Sequence, residues 1–527
     1  MQRTVAWWAV AFAVVGAAIV AQHLIALGTA PPGFYIDEAS IGYNAWAIAH
    51  HGVDEHGNAW PVYFAAFGEY KNPLYVYAVV PFVRFLPLTA TTERLPAALF
   101  GLVAVLFLTL AAWRITRSRW LALAMCVLAA LTPWLVQESR VGFEVISMVA
   151  TLSVVLWCLA AEHRLRRRSF AVAGVFLALS IYAYSTGRVE VALFTVVFVG
   201  VYARRRFRGW WLVPMMVVAG YAVLGGYELS HPGALTAEFD LRSIARDGAP
   251  LATLIGRFAA NYFSYFDGGF LFVTGDFNPR HNTGFAGMLL AATLPLLLLG
   301  LVGCWRRRRE ALPKFVVFCL VVGPAAAAVV NNNNEPHALR SADMLPFWLI
   351  LAAYGLDALR ALFARHRPLT VALAGILGAA VLVQGSLYLA DMYTAYPVDA
   401  AAWFDDGLPA ATAVAWQQAG GHEVFVSTTF EGGAAYIDAD VALLPPPPST
   451  PQPVGPDPQL AALRVIVAPP ALIAAAAGPG DTLVLAPPDA LPEGAEFIET
   501  QYGPVDPLDP HTPAQPLVTV YRIAPRA

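Results

Sequence analysis

Residues 94 to 113 read Arg94-Leu95-Pro96-Ala97-Ala98-Leu99-Phe100-Gly101-Leu102-Val103-Ala104-Val105-Leu106-Phe107-Leu108-Thr109-Leu110-Ala111-Ala112-Trp113, and Arg114, Arg117 and Arg119 follow at once. A bilayer core takes about 20 mostly apolar residues to cross as a helix, so 94–112 reads as a membrane span with a basic cluster at its end. Comparable stretches recur on both sides, at 5–27, 119–136, 144–161, 170–185, 188–203, 210–226, 285–304, 314–330, 344–362 and 369–390. The whole chain agrees. Of its 527 residues 58% are hydrophobic and 13% charged, with a mean hydropathy of +0.57. A soluble domain carries about 25% charged residues, so ordinary water-soluble domains are excluded and an all-α polytopic membrane domain is expected. The formal net charge of −3 excludes a strongly basic nucleic-acid binder. Cys126, Cys158, Cys304 and Cys319 stand singly in apolar runs, which gives neither a disulfide framework nor a zinc site.

The arginines orient the spans, because cytoplasmic loops retain positive charge. Five clusters share one side: Arg114, Arg117 and Arg119; Arg164 and Arg166 to Arg168; Arg204 to Arg206 and Arg208; Arg306 to Arg309; and Arg360, Arg365 and Arg367. That side is read as cytoplasmic, together with the N-terminus and Arg3. The segments 28–72, 137–143, the Ser185 to Gly187 turn, 227–284, 331–343 and everything after 390 then face outward. The alternation closes with eleven crossings if 73–88, which holds Pro73, Pro81, Arg84 and Pro87, is a re-entrant or interfacial helix. The first span is too long for a cleaved signal peptide and lacks a clean cleavage site.

Residues 1–390 are thus expected to form the membrane domain and 391–527 a small external α/β or α+β domain. Beyond residue 390 there is no Lys, sixteen acidic residues face three Arg, and twenty-two of the forty prolines occur. Strands are expected at 423–427, 463–468, 482–486, 497–501 and 517–523, helices around 399–419 and 431–438, and an extended loop over Pro445 to Pro458.

The first external loop carries the residues with the clearest chemistry. Pro31-Pro32-Gly33-Phe34-Tyr35-Ile36-Asp37-Glu38-Ala39-Ser40-Ile41-Gly42-Tyr43-Asn44-Ala45-Trp46 sets two adjacent carboxylates just beyond the first span, at headgroup depth. Asp37 also fits the N-cap of a helix starting at Glu38, and a cap is compatible with catalysis because it fixes the carboxylate. Further on stand Trp60, Tyr63, Phe64, Phe67, Glu69, Tyr70 and Lys71, and Lys71 is the sole Lys or Arg in 28–72. It reads either as an interfacial lysine snorkelling among belt aromatics or as a cation awaiting a lipid phosphate. Other outward turns carry Arg140 and Glu144, Tyr182, Tyr184 and Arg188, Arg280 and His281, and Asn331 to Asn334 with Glu335, His337, Arg340 and Asp343. Each allows a structural ion pair; their gathering on one face suggests a site.

The Asp37-Glu38 pair after the first span, Lys71-Asn72-Pro73-Leu74, Arg94-Leu95-Pro96, a long external loop and a C-terminal external domain together resemble the GT-C membrane glycosyltransferases. Within these the chain is most similar to the protein O-mannosyltransferase and aminoarabinose transferase group, the dolichyl-phosphate-mannose-protein mannosyltransferase-like family. Gly275-Asp276-Phe277-Asn278-Pro279-Arg280-His281-Asn282 and Pro336-His337-Ala338-Leu339-Arg340 resemble its bacterial members. The resemblance covers about residues 1–390.

It implies inverting transfer from a polyprenyl-phosphate sugar to a protein, lipid or glycan acceptor at the outer face of the cytoplasmic membrane. It matches Asp37 to the catalytic carboxylate, Glu38 to its acidic neighbour and Lys71 to the lysine that neutralises the lipid-linked phosphate. Arg140, Arg188 and Arg340 are further phosphate-binding candidates, and Tyr43, Glu69, Glu144, Arg280, His281 and His337 complete the set. Ser40 stands where aminoarabinose transferases tend to carry a phosphate-contacting arginine, which counts against that particular aminosugar donor. No cofactor is required. Glu38, Glu69 and His337 leave room for a divalent metal that the scheme does not need. Two other classes compete: a flippase or transporter of lipid-linked sugars, and a non-catalytic assembly protein binding through its C-terminal domain.

Overall fold

A computed structural model describes residues 2–160, 165–205, 207–330, 335–363, 367–430, 436–449, 451, 458–509 and 511–524. Arg164, Arg206, Arg365, Asn331 to Asn334, the start of the helix expected at 431–438 and most of Pro451 to Pro458 lie outside the described residues.

From the N-terminus the chain forms α1 (Gln2–Leu24), α2 (Ile36–His51), the strands β1 (Phe64–Ala66) and β2 (Glu69–Lys71), α3 (Pro73–Phe85), α4 (Ala90–Thr116), α5 (Arg119–Leu131), α6 (Pro133–Glu138) and α7 (Val145–Leu159). Among the described residues six helices are long and apolar enough to cross a membrane: Trp7–Leu24, Ala90–Thr116, Leu212–Ser230, Ala311–Ala328, Leu339–Leu362 and Val371–Tyr393. The other five expected spans contain shorter helices, Arg119–Leu131, Val145–Leu159, Arg167–Leu179, Gly187–Tyr202 and Ala291–Arg306. Pro133 explains the first of these, since a residue without an N–H ends one helix at Thr132 and begins the next. The 73–88 segment is the 13-residue α3; at 1.5 Å per residue it measures about 20 Å against the roughly 30 Å of a bilayer core.

The chain divides into two compact units. One comprises Met1–Ile25, Asn72–Tyr75 and Ala97–Ala390, the other Ala26–Lys71, Val76–Pro96 and Asp391–Ala527. The first is helical. A close crossing joins α8 (Leu294–Arg306) to α9 (Leu345–Phe363), where a Cβ on Gly300 would stand 2.2 Å from the Leu351 carbonyl oxygen and one on Gly355 2.0 Å from that of Leu296. Backbone meets backbone there, as small residues allow between membrane helices.

The second unit holds the only sheet of more than two strands among the described residues. It is built on β3 (Val424–Ser427), β4 (Val465–Ala468), β5 (Thr482–Leu485), β6 (Ala495–Tyr502) and β7 (Pro516–Ile523), in the order β4-β3-β5-β7-β6. β4, β3 and β5 run parallel; β7 is antiparallel to β5 and β6. The five strands fall within a few residues of those expected. Alternation splits their side chains: Val424, Val426, Val484, Val518 and Val520 pack with Leu408, Ala411 and Ala415 of the helix Leu408–Ala419, while Phe425, Leu483, Leu485 and Ile523 pack with Ile473 on the opposite face. A third apolar cluster joins Ile437 to Phe34, Ile36, Ala39 and Tyr43, so the C-terminal segment packs directly on α2.

Candidate functional site

The start of α2 is fixed by a buried ion pair. Glu38 is fully enclosed, and Arg94 of α4 grips both its oxygens, Nε donating to Oε1 at 2.7 Å and Nη2 to Oε2 at 2.7 Å. The same guanidinium donates to the carbonyls of Leu27 (3.2 Å), Pro31 (2.7 Å) and Gly33 (3.0 Å). Its planar fork suits this use, holding loop and helix together from one group. The Tyr35 N–H also donates to Glu38 Oε2, at 3.3 Å. This corrects the capping expectation: α2 begins at Ile36, Asp37 lies inside its first turn, and the carboxylate that reaches back to the free N–H is Glu38.

Successive helical residues point about 100° apart, so burying Glu38 turns Asp37 elsewhere. The Asp37 side chain keeps 27% of its surface, and Lys71 Nζ donates to its Oδ1 at 2.5 Å. Glu69, two residues before Lys71 on the same face of β2, accepts from the same ammonium at 3.0 Å, and the Phe67 ring lies 5.6 Å away. The hairpin aims this strand: Ala66 pairs with Glu69 around Phe67 and Gly68, whose φ values of 54° and 80° give the tight turn that matches strand twist. Asp37, Lys71 and Glu69 therefore form one partly exposed cluster, with Glu38 and Arg94 beneath it.

A second group surrounds Asn72. Glu144 accepts from the Asn72 backbone N–H through Oε1 and from its amide at 3.3 Å through Oε2; Arg188 donates to Asn72 Oδ1 at 3.2 Å and to the Leu235 carbonyl at 3.0 Å. Arg140 is completely buried and donates to the carbonyls of Gln22 (2.9 Å) and Ile25 (2.7 Å), closing the end of α1. Tyr43 is buried and donates to the Pro445 carbonyl at 2.7 Å.

A third group lies on two loops. His281 Nδ1 is 3.1 Å from Asp276 Oδ2, the His281 and His337 rings are 4.4 Å apart, and the Ala338 N–H donates to Asp276 Oδ2 at 2.7 Å. Burial raises the Asp276 carboxyl, but His281, His337 and the Asn278 N–H outweigh it and hold the group at about 2. Burial, then the charges of His281 and Arg340, push His337 well below the usual imidazole value. Glu138, at the end of α6, is pushed well above the carboxylate range by burial and by the charge on Asp276. Arg280 takes part through its backbone, its carbonyl accepting from Gln137 at 3.0 Å and its N–H donating to Asn278 at 3.0 Å. Arg340 is buried and acts on His337 electrostatically.

Arg94, Asn72, Asp276 and Glu138 were not among the site residues read from sequence. Arg94, Asn72 and Asp276 lie in the quoted stretches; Glu138 lies in the outward turn between Gln137 and Arg140, where only Arg140 and Glu144 were singled out.

No family model matches the sequence and no curated protein matches it. Among solved structures, ArnT from Cupriavidus metallidurans in its apo state matches with a TM-score of 0.57 at 14% identity, covering 99% of this chain and 100% of that one. The ArnT structure bound to undecaprenyl phosphate matches with a TM-score of 0.54 at 14% identity, covering 99% of both chains. The archaeal oligosaccharyltransferase AglB from Archaeoglobus fulgidus, with an inhibitory peptide and a dolichol-phosphate, gives a TM-score of 0.45 at 15% identity over 85% of this chain and 61% of that one. ArnT is an aminoarabinose transferase of the GT-C type, and this chain has its fold.

Proposed function

We propose that the protein is a multi-pass membrane glycosyltransferase that moves a sugar from a polyprenyl-phosphate donor to an acceptor at the outer face of the cytoplasmic membrane, with inversion. The observation that carries this reading is the Asp37–Lys71–Glu69 cluster, an accessible carboxylate 2.5 Å from a nearly buried ammonium. The fold shared with ArnT, whose solved complex holds undecaprenyl phosphate, supports the choice of donor.

Asp37 takes the proton of the acceptor hydroxyl as its oxygen bonds to the anomeric carbon, and the bond from that carbon to the phosphate oxygen breaks. The departing phosphate gains charge, which Lys71 neutralises. Lys71 is shared by two carboxylates, and a donor phosphate adds a third anion to the same ammonium. The phosphate thereby draws the lysine from Asp37 and frees that carboxylate to meet the acceptor hydroxyl. Glu38 acts by position, since Arg94 occupies both its oxygens. Arg188, a further phosphate candidate, donates to Asn72, the residue after Lys71.

The test is release of free polyprenyl phosphate by purified protein given a polyprenyl-phosphate sugar and a membrane extract as acceptor source. Asp37→Asn should abolish release while preserving yield and monodispersity. Turnover within tenfold of wild type would refute Asp37 as base; translocation of intact lipid-linked sugar without release would identify a flippase instead.

A further inference from the structure

The transfer steps proposed above use none of Asp276, His281, His337 and Glu138, and hydrogen bonding alone does not account for their grouping. Asp276, His281 and His337 each bring one donor atom to within 4.8 Å of the others. Two further observations point to a ligand. His337 Nδ1 is enclosed and has no hydrogen-bond partner among the described residues. Glu138 is 1% exposed, and neither of its carboxylate oxygens has a partner, although Asp276 is near enough to act on its charge. A simple His281–Asp276 pair explains the 3.1 Å contact and leaves both of these unexplained.

We propose that Asp276, His281 and His337 hold a divalent transition-metal ion, with Glu138 as the neighbouring carboxylate that balances its charge. Two imidazole nitrogens and one carboxylate oxygen suit zinc and its neighbours, whereas calcium and magnesium take oxygen ligands. The Asp276 carboxylate is already oriented from outside the donor triangle: the Asn278 N–H donates to Oδ1 at 2.9 Å and the Ala338 N–H to Oδ2 at 2.7 Å. Hydrogen bonds of this kind fix the direction of a metal-ligating carboxylate. The 4.4 Å separation of the rings brings two imidazoles close enough to share one ion, whose donors stand about 3.4 Å apart at ordinary zinc bond lengths. Asp276 keeps its negative charge in a dry region beside two imidazoles, and a dication there offsets it. The ion ties the 275–282 loop to the 336–340 loop and leaves Asp37 and Lys71 untouched.

The test uses the full chain, purified in detergent without a polyhistidine tag, dialysed against micromolar zinc and then against buffer. Elemental analysis should find about one zinc per chain, and a chelator should lower the melting temperature. Asp276→Asn, which keeps an oxygen for the Ala338 N–H, and the double variant His281→Gln, His337→Gln should both lose the zinc and the response to chelator. Glu138→Gln should weaken zinc roughly tenfold or more, as outer carboxylates do. Wild-type protein that retains no zinc and melts unchanged with chelator overturns the proposal, even if the variants fail to fold. Variants that keep wild-type zinc overturn the assignment of ligands.

Discussion

Asp37 and Glu38 are adjacent in sequence and have opposite fates. Glu38 is sealed under Arg94 and Asp37 meets Lys71, because one step along a helix rotates a side chain from interior to surface. Lys71→Ala should therefore lower kcat/KM for the lipid donor by about 10²-fold or more while leaving the melting temperature near wild type, measured by polyprenyl phosphate release. Loss of stability without loss of donor use would make Lys71 a structural lysine. Glu138 gives a pH prediction. Its folded-state pKa is raised above the unfolded value, so the stability it contributes is present at acidic pH and lost as pH rises from the unfolded value toward the folded one. In chelator-treated protein, Glu138→Gln should melt close to wild type at about pH 5 and roughly 2 °C or more higher at about pH 8. An equal difference at both values would mean that Glu138 is ionised in the fold. The cluster members on one loop were legible as residue types in a suggestive order. Which of two neighbouring acids faces the cation was not, since one sequence leaves the phase of α2 open.

At the scale of elements, apolar runs of about span length predicted where helices lie, and the six long ones follow them. Their ends depended on local chemistry that the hydropathy pattern averages away, such as Pro133 dividing α5 from α6. Two joints between elements lead to further expectations. Arg94 ties the start of α4 to the start of α2, so Glu38→Gln leaves a buried guanidinium without its counter-charge. That should cost about 3–5 kcal/mol and show as reduced yield and a lower melting temperature. A variant as stable as wild type would mean that the pair holds little of the loop in place. The crossing of α8 and α9 leaves no room beside the Leu351 carbonyl, so Gly300→Val should force the helices apart and lower the melting temperature by several degrees. Gly225, which meets nothing within 4 Å of an added Cβ, is the control that should tolerate Val.

At the scale of the whole chain, the net charge of −3 is a cancellation: residues 1–390 carry thirty basic and twenty acidic residues, 391–527 three and sixteen. The basic excess supports a cytoplasmic N-terminus and an outward C-terminal region. An alkaline phosphatase fused after residue 527 should accordingly be active in cells and a green fluorescent protein there dark; the reverse result would invert the topology. The C-terminal segment also covers the α2 loop, Ile437 packing on Phe34 and Tyr43 and Pro445 accepting from the Tyr43 hydroxyl. Ending the chain after Ala390 should therefore abolish transfer although Asp37 and Lys71 remain. Retained activity would show that the loop holds its shape alone.

Composition and periodicity by themselves determined a helical membrane region, a sheet-forming C-terminal region and the stretch bearing the acidic pair and the lone lysine, because hydropathy and strand alternation are local properties. Only the tertiary structure decided that Arg140 closes α1, that Arg94 takes Glu38, that Lys71 reaches Asp37 across 34 positions, and that Asp276, His281 and His337 meet from two loops. Those pairings follow from how distant segments pack, and a single sequence carries no measure of that distance.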